Sequence, residues 1–413
     1  MTFLELYEKL LKSELLHKKP DIEDAGADHL SCLLEPEKHP VVIKTDSCST
    51  GCEGACKAAC IFNAIENQNG ELIINKELCT GCMECVKACK ENKIVPSKDV
   101  VAAIKAINSG KPSYALIAPA IIGQFKGANM GQIRNALKKL GFLGVIEVSL
   151  FADILTLKEA IEFKNHIKKN GDYMLTSCCC PVWIALIKKH YNLLSSHLAP
   201  SVSPMIAAGR FVKSINKDCV TVFIGPCLAK KAEIREPDLV GAIDYCVTFS
   251  ELVDAFNICG INPKQEKSEI KEHSSKMGRM YAFSGGVSKA VSSTVKALEY
   301  KNKIPLTASK AEGVINLKNL LIDIENGKTK ANFYEGMGCV GGCVGGPKII
   351  EDKFHARLEA EKYANFSSYK TPLDNPFVIE LLKRLNITDE ETLIATDRNA
   401  DGRDHDGTDL GKN

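Results

Sequence analysis

Hydrophobic and polar positions divide the chain into three textures. From Phe3 to Leu16 the apolar residues Leu4, Tyr7, Leu11 and Leu15 recur at helical spacing and predict one amphipathic helix. Pro20, Pro36 and Pro40 then interrupt the pattern. Between Val41 and Pro96 two short apolar runs, Val41–Lys44 and Glu71–Ile74, each precede a cysteine-rich loop. That segment reads as one unit repeated: strand, cysteine loop, short helix. From Val101 strand-like runs alternate with helical stretches. Ser113–Ala120 reads as a strand ending in a turn, Gln132–Leu140 as a helix, Gly144–Val148 as a strand and Ala152–Lys168 as a helix. Tyr173–Leu175 (strand), Trp183–Tyr191 (helix) and Val220–Ile224 (strand) continue the alternation. The pattern predicts an α/β domain with mostly parallel sheets, whose sites gather where strands end. Pro376–Leu385 is the last expected helix, and the Asp- and Gly-rich stretch 386–413 is expected to be a disordered tail. Within it Asp397, Asn399, Asp401 and Gly402 imitate the start of a calcium loop. Thr408 stands where the bidentate Glu belongs, so a solvated tail is the reading adopted.

Composition narrows the class. A chain of 413 residues can hold two or three domains, and 45% hydrophobic with 25% charged content is that of a soluble globular protein. A net charge of +2 gives no bulk attraction to nucleic acid or an anionic membrane. No apolar run reaches transmembrane length, and the first residues lack the marks of a signal peptide, so the expected location is cytoplasmic. In that setting the 18 cysteines read as metal ligands or reduced thiols rather than disulfides.

Eight of them form two runs. Cys79, Cys82, Cys85 and Cys89 have the C-x2-C-x2-C-x3-C spacing of a bacterial [4Fe-4S] ferredoxin, with Lys90 in place of the usual Pro. Cys48, Cys52, Cys56 and Cys60 form a looser C-x3-C repeat. A cysteine stripe along one helix would share this spacing, but Gly51 and Gly54 disfavour a helix there. Zinc could suit an isolated pair; eight cysteines in a repeat favour two [4Fe-4S] clusters. Crossed ligation, as in two-cluster ferredoxins, assigns Cys48, Cys52, Cys56 and Cys89 to one cluster and Cys79, Cys82, Cys85 and Cys60 to the other.

Ten cysteines remain. Cys32, Cys219, Cys246 and Cys259 are isolated and read as buried structural thiols. The other six lie in three loops: Thr176-Ser177-Cys178-Cys179-Cys180-Pro181-Val182-Trp183, Pro226-Cys227-Leu228-Ala229-Lys230-Lys231-Ala232-Glu233, and the Gly-rich Met337-Gly338-Cys339-Val340-Gly341-Gly342-Cys343. Three adjacent cysteines cannot all face one core, so these loops read as one metal site assembled across a domain.

In these motifs and their order the chain resembles the iron-only ([FeFe]) hydrogenases over roughly residues 41–385. The resemblance implies a two-lobed α/β catalytic domain with mostly parallel sheets, at 101–385. It also implies an α+β bacterial-ferredoxin-like domain at 41–100, behind an N-terminal helical segment, 1–40. It implies the reaction 2 H⁺ + 2 e⁻ = H₂ at an H-cluster, a [4Fe-4S] cube bridged to a diiron unit with CO, cyanide and dithiolate ligands. Cys180, Cys227, Cys339 and Cys343 match the cube ligands, and Cys343 the bridge. Lys230 matches a cyanide-binding lysine, Glu233 its supporting carboxylate and Met337 a methionine beside the diiron unit. Ala118, Pro119, Ala120 and Pro226 match the cofactor-lining turns. Aligned on Pro181, Cys179 is the proton-relay thiol, Glu159 and Glu162 its carboxylate relay, and Cys178 an added thiol at the cofactor. Aligned on Thr176, Cys178 is the relay, Cys179 the ligand and Cys180 the addition. A solvated helix face is the competing reading of Glu159 and Glu162. Departures include Gly225 where many members carry Met and Ala199 where a serine joins the proton path. Expected partners are a ferredoxin or similar small electron carrier and the hydrogenase maturation proteins. Two other functions compete: an H₂ or redox sensor with the same cofactor, and an iron–sulfur assembly protein without a diiron unit.

Overall fold

The computed structural model describes residues 1–387 apart from 50, 51, 53, 69, 70, 270 and 300–303; the tail from 388, with its calcium-loop-like run, lies outside the described residues. Strands β1 (Val42–Lys44), β2 (Ile65–Gln68), β3 (Glu71–Ile74) and β4 (Ile94–Pro96) build the cysteine-rich module. β1 pairs antiparallel with β4, and β2 with β3. Two short helices, Ala55–Ala58 and Glu84–Ala88, carry Cys56 and Cys85. Each is entered through a left-handed residue, Gly54 (φ 65°) and Met83 (φ 72°), so Cys48, Cys52 and Cys56 do not form a stripe on one helix.

The larger domain carries β5 (Ser113–Ile117), β6 (Gly144–Glu147), β7 (Met174–Leu175), β8 (Val220–Gly225), β9 (Tyr245–Thr248), β10 (Ala308–Glu312) and β11 (Phe333–Met337). They form two parallel sheets, ordered β6-β5-β8-β9 and β10-β11-β7. Ala115, Leu116 and Ile117 of β5 are fully buried, as in a parallel strand covered on both faces. Register sets Ile117 beside Ile224, and Ala118 N–H donates to Ile224 O at 2.9 Å, so β5 and β8 end side by side. The loops that continue β5, β7, β8 and β11 carry Ala118–Ala120, Thr176–Cys180, Pro226–Cys227 and Cys339–Cys343.

Several elements begin elsewhere than their sequence pattern indicates. The helix expected from Gln132 starts at Met130, because Asn129 and Gln132 cap each other: Gln132 N–H donates to Asn129 Oδ1 at 3.0 Å and Asn129 N–H to Gln132 Oε1 at 2.9 Å. The helix expected from Ala152 runs from Ser149 to His166. The first helix spans Phe3–Leu16 behind a Thr2–Glu5 capping box, but buries Phe3, Leu6, Tyr7, Leu10 and Leu11 while Leu4 is 55% exposed. The buried stripe is displaced because the helix docks on helices Val100–Ile107 and Phe249–Cys259, where Tyr7 OH donates to Asp254 Oδ2 at 2.7 Å. Its apolar side chains join the core around β5 and β8.

The two modules meet through charge and close backbone packing. Lys231, fully buried, donates to Ser97 O at 2.8 Å and to Glu251 at 3.0 Å, and lies 3.0 Å from Asp99 Oδ1. Gly81 (φ 70°) abuts Ala229: a Cβ there would stand 3.0 Å from Ala229 N, so only glycine admits this approach. The cysteine-rich loop is thereby seated two residues from Cys227.

Candidate metal centre

Cys180 caps helix Pro181–His190, Cys227 follows β8, and Cys339 and Cys343 follow β11. The structure brings these four thiols together. Burial raises each above its ordinary value, and repulsion from neighbouring thiols adds to it at Cys227, Cys339 and Cys343. Cys227 is pushed up to about 11 by burial and then Cys180, and Cys343 to about 12 by burial and then Cys227 and Cys180. Cys339 is raised by burial, then by Cys227, Cys180 and Cys343. Cys180 is raised by burial against the opposing pull of backbone donors. One of these is Gly338 N–H, which donates to Cys180 Sγ at 3.2 Å. Thiols so placed stay protonated unless a cation is held among them. Among the described residues no three His, Cys, Asp or Glu side chains converge tightly enough for a single metal ion. Soft thiol donors spread around a larger body fit an iron–sulfur cluster.

The module's eight cysteines fall into two groups. Cys85 is raised to about 12 by burial, then by Cys79, Cys82 and Cys60, which are therefore its neighbours. Those four line one cavity with Val42 and Phe62, and Cys60 Sγ accepts Ala64 N–H at 3.2 Å. Cys56 instead has Cys89, Cys52 and Cys48 around it. Each group thus takes one cysteine from the other run. Cys60, Cys82, Cys180 and Cys227 pack against the same apolar cluster around Phe62, Trp183 and Ala229, so the inner group of the module adjoins the four-thiol centre.

The triple-cysteine loop turns on Ser177, whose φ of 66° is left-handed, and Cys180 N–H donates to Ser177 O at 2.9 Å. Cys178 Sγ lies 3.2 Å from Val202 O and 3.6 Å from Glu159 Oε1. The sequence alignment on Pro181 expects the thiol at Glu159 to be Cys179; the thiol found there is Cys178. Glu159 also accepts the Thr176 hydroxyl, a contact that no spacing rule indicated. Burial raises Glu159 to about 7, against the opposing effect of the Thr176 and Cys178 donors. Glu159 has no exposure and Glu162 2%, which removes the solvated-face reading. Glu162 Oε2 is 3.0 Å from Nδ1 of His166, whose side chain is 56% exposed, so this end of the helix reaches solvent. Cys179 has Cys178, Cys343, Lys230 and Cys180 as electrostatic neighbours, which ties it both to the thiol at Glu159 and to the four-thiol group.

Lys230 Nζ is 2.5 Å from Glu233 Oε2, both side chains nearly sealed from solvent. Burial opposes the Lys230 charge, but the Glu233 carboxylate outweighs it and holds the ammonium above its ordinary value. Met337 is buried in an apolar cluster with Ala199 and Tyr281, against which Cys179 and Cys180 pack. Ala118, Pro119 and Ala120 form a buried 3₁₀ turn, and Pro226 O accepts Lys348 N–H at 3.0 Å. Tyr281, 3.0 Å from Thr156 Oγ1 and an electrostatic neighbour of Glu159, Cys178 and Cys179, was not legible in the sequence because no motif marks it.

Comparison with known proteins agrees with this architecture. The family described as iron only hydrogenase large subunit, C-terminal domain, matches residues 111–347, and a 4Fe-4S binding domain matches residues 72–92. Iron hydrogenase 1 of Clostridium pasteurianum is 28% identical over 275 residues, covering 56% of this chain and 48% of that protein, so the chain spans about half of that relative's length. The cytosolic Fe-S cluster assembly factor NAR1 of Vanderwaltozyma polyspora is 32% identical over 98 residues, 24% of this chain and 18% of that one. A solved [FeFe]-hydrogenase from Chlamydomonas reinhardtii superposes with a TM-score of 0.55 at 21% identity, over 71% of this chain and 95% of that one, a likeness of fold. Among the described residues no helix is long and apolar enough to cross a membrane. With its catalytic-domain model matched over more than half its length, beside a 4Fe-4S module, this chain belongs to the iron-only hydrogenase large-subunit family.

Proposed function

We propose that the chain interconverts H₂ with two protons and two electrons at an H-cluster. Cys180, Cys227, Cys339 and Cys343 would hold its cube, with Cys343 the thiolate shared with the diiron unit. Cys48, Cys52, Cys56 and Cys89, and Cys60, Cys79, Cys82 and Cys85, would hold two further [4Fe-4S] clusters that pass electrons to or from a ferredoxin-like carrier. Maturation proteins would install the diiron unit. When bound, the cofactor supplies electron storage and the H–H bond chemistry.

The chain supplies the surroundings. The Lys230 ammonium, fixed by Glu233 at 2.5 Å, is a cationic donor suited to an anionic cyanide ligand. Met337, Ala199 and Tyr281 keep the neighbourhood of Cys179 and Cys180 apolar. A proton held by Glu159 passes to Cys178, whose own proton moves on through Cys179 toward the four-thiol centre. Glu159 at about 7 is matched to both giving and accepting a proton near neutrality.

The observation that carries this reading is the sealed Glu159–Cys178 contact beside the four grouped thiols. A scaffold that only holds a cube has no use for a buried acid–thiol pair or for the Lys230–Glu233 pair. The likeness to an assembly factor spans 24% of the chain and supports cube binding alone. A sensor would carry the same cofactor with slow turnover. The test is Glu159→Gln and Cys178→Ala in the cofactor-loaded chain, with reduced methyl viologen as donor. H₂ evolution should fall by about two orders of magnitude, a typical loss for a general acid–base group, with cofactor infrared bands unchanged. Wild-type turnover in both variants would remove the relay.

A further inference from the structure

We propose that the cleft between the Cys79–Thr80 loop and helix Pro181–His190 is a second, water-filled proton entry, ending on Glu233 and distinct from the Glu159 side. This inference rests on the proposed H₂ chemistry for its purpose, but not for its geometry.

The cleft has a volume of about 260 Å³. Liquid water occupies about 30 Å³ per molecule, so the cleft has room for a file of waters. Its walls are Thr80 from the cysteine-rich module, Ala185 and Lys188 from the helix that Cys180 caps, and Glu233 and Glu236 from the segment after Cys227. The module and the catalytic domain thus enclose it jointly. Thr80 Oγ1 is buried and has no hydrogen-bond partner in the protein, so a water must satisfy it. Glu233, 3% exposed, lines the cleft and lies 2.5 Å from Lys230 Nζ. Lys230 in turn has Cys179 and Cys227 as electrostatic neighbours. One ion pair therefore separates the cleft from the four-thiol centre. Glu159, by contrast, has no exposure and accepts from Thr176 and Cys178.

The transfer balances without any other reagent. A proton arriving through the cleft water binds a Glu233 oxygen. Lys230 passes one of its three ammonium protons to the sulfur of Cys179, whose own thiol proton moves on toward the four-thiol centre, and takes the proton from Glu233. One proton has moved inward, and the lysine and glutamate are back in their starting forms. Cys178 touches Glu159, and both Cys178 and Cys179 have Lys230 as an electrostatic neighbour, so the two thiols join the Glu159 and Lys230 sides.

Two measurements on the full chain test this. In the chain carrying its iron–sulfur cubes without the diiron unit, carboxyls are labelled with a water-soluble carbodiimide and a small amine and mapped by mass spectrometry. Glu233 should label within about tenfold of Glu236 and Glu159 not at all; Glu233 as protected as Glu159 overturns the proposal, whatever the activity of the enzyme. In the loaded chain, the shift of the cyanide infrared bands is followed after dilution into D₂O. In a Glu159→Gln background, which closes the other side, Ala185→Trp, which narrows the cleft, should slow it at least tenfold, and Trp at the exposed lining residue Pro237 gives the same reading should Ala185→Trp not fold. Unchanged exchange in a folded cleft-filled variant overturns the route. Absent cyanide bands would count against the H₂ reading, while the labelling result would still decide the cleft.

Discussion

Gly336→Ala should damage the four-thiol centre without touching a cysteine. Gly336 lies in β11 beneath Trp183, and a Cβ at that position would stand 2.6 Å from Trp183 Cε2 and closer still to Cδ2 and Cε3. Apolar carbons meet at about 3.5–4.0 Å, so the ring must retreat by about 1 Å or more. Trp183 has no exposure, and interiors packed to crystal density have no room for that movement. Overpacking of this kind costs about 1–3 kcal/mol. Trp183 Nε1 also donates to Thr176 O at 2.8 Å, and losing that bond leaves buried groups unpaired at about 1–3 kcal/mol. The total is about 2–6 kcal/mol, much of the stability of an ordinary domain. The displaced ring sits on the helix that Cys180 caps and bonds the loop that carries Cys178, so iron content should fall with stability. Trp183 is the only tryptophan in the chain, which makes its fluorescence a direct probe. The assay is emission maximum and denaturant midpoint in the cluster-free chain, with iron and sulfide per chain after reconstitution. A variant with wild-type emission, midpoint and iron content would refute the packing argument.

Three further outcomes follow from the same structure. Asp153, held by Ser275 N–H at 2.7 Å and Asn375 Nδ2 at 3.1 Å, is raised by burial from 3.8 to about 6. The folded state therefore keeps its proton longer than the unfolded chain, and the stabilisation is full below about pH 4 and lost as pH rises through about 6. That loss is roughly 3 kcal/mol, and Asp153→Asn should flatten this part of a thermal-midpoint-against-pH curve. Lys231→Met leaves Asp99 and Glu251 buried without their cation and should cost about 3–5 kcal/mol in denaturant unfolding, whereas a surface pair such as Arg384–Glu380 should cost under about 1. Cys89→Ser should remove the cluster shared with Cys48, Cys52 and Cys56 and spare the one at Cys60, Cys79, Cys82 and Cys85, as counted by iron content and electron paramagnetic resonance.

Much of the fold is legible in the chain because its strands are continuous apolar runs and its site residues follow them. β8 and the loop to Cys227 are one such case. Spacing could not tell which of three adjacent thiols meets Glu159, because the answer depends on one left-handed residue, Ser177. Nor could composition reveal that helix Ser149–His166 is buried. Asp153, Lys158, Glu159 and Glu162 make it look solvated, while donors from remote elements, such as Ser275, Asn375 and Thr176, make burial possible. The displaced stripe of the first helix has a similar origin. Tyr7 is drawn inward by Asp254, 247 residues away, and Leu4 is left outside. Local pattern carries element type; side-chain direction depends on partners that pattern does not contain.

The most direct test of the central claim is infrared spectroscopy of the full chain, carrying its cubes and loaded with a synthetic diiron complex. CO and cyanide bands are expected, with the cyanide bands shifted in Lys230→Met and the diiron bands lost in Cys343→Ser. A loaded chain that binds its cubes but shows no such bands would contradict that claim and leave an iron–sulfur protein of another kind.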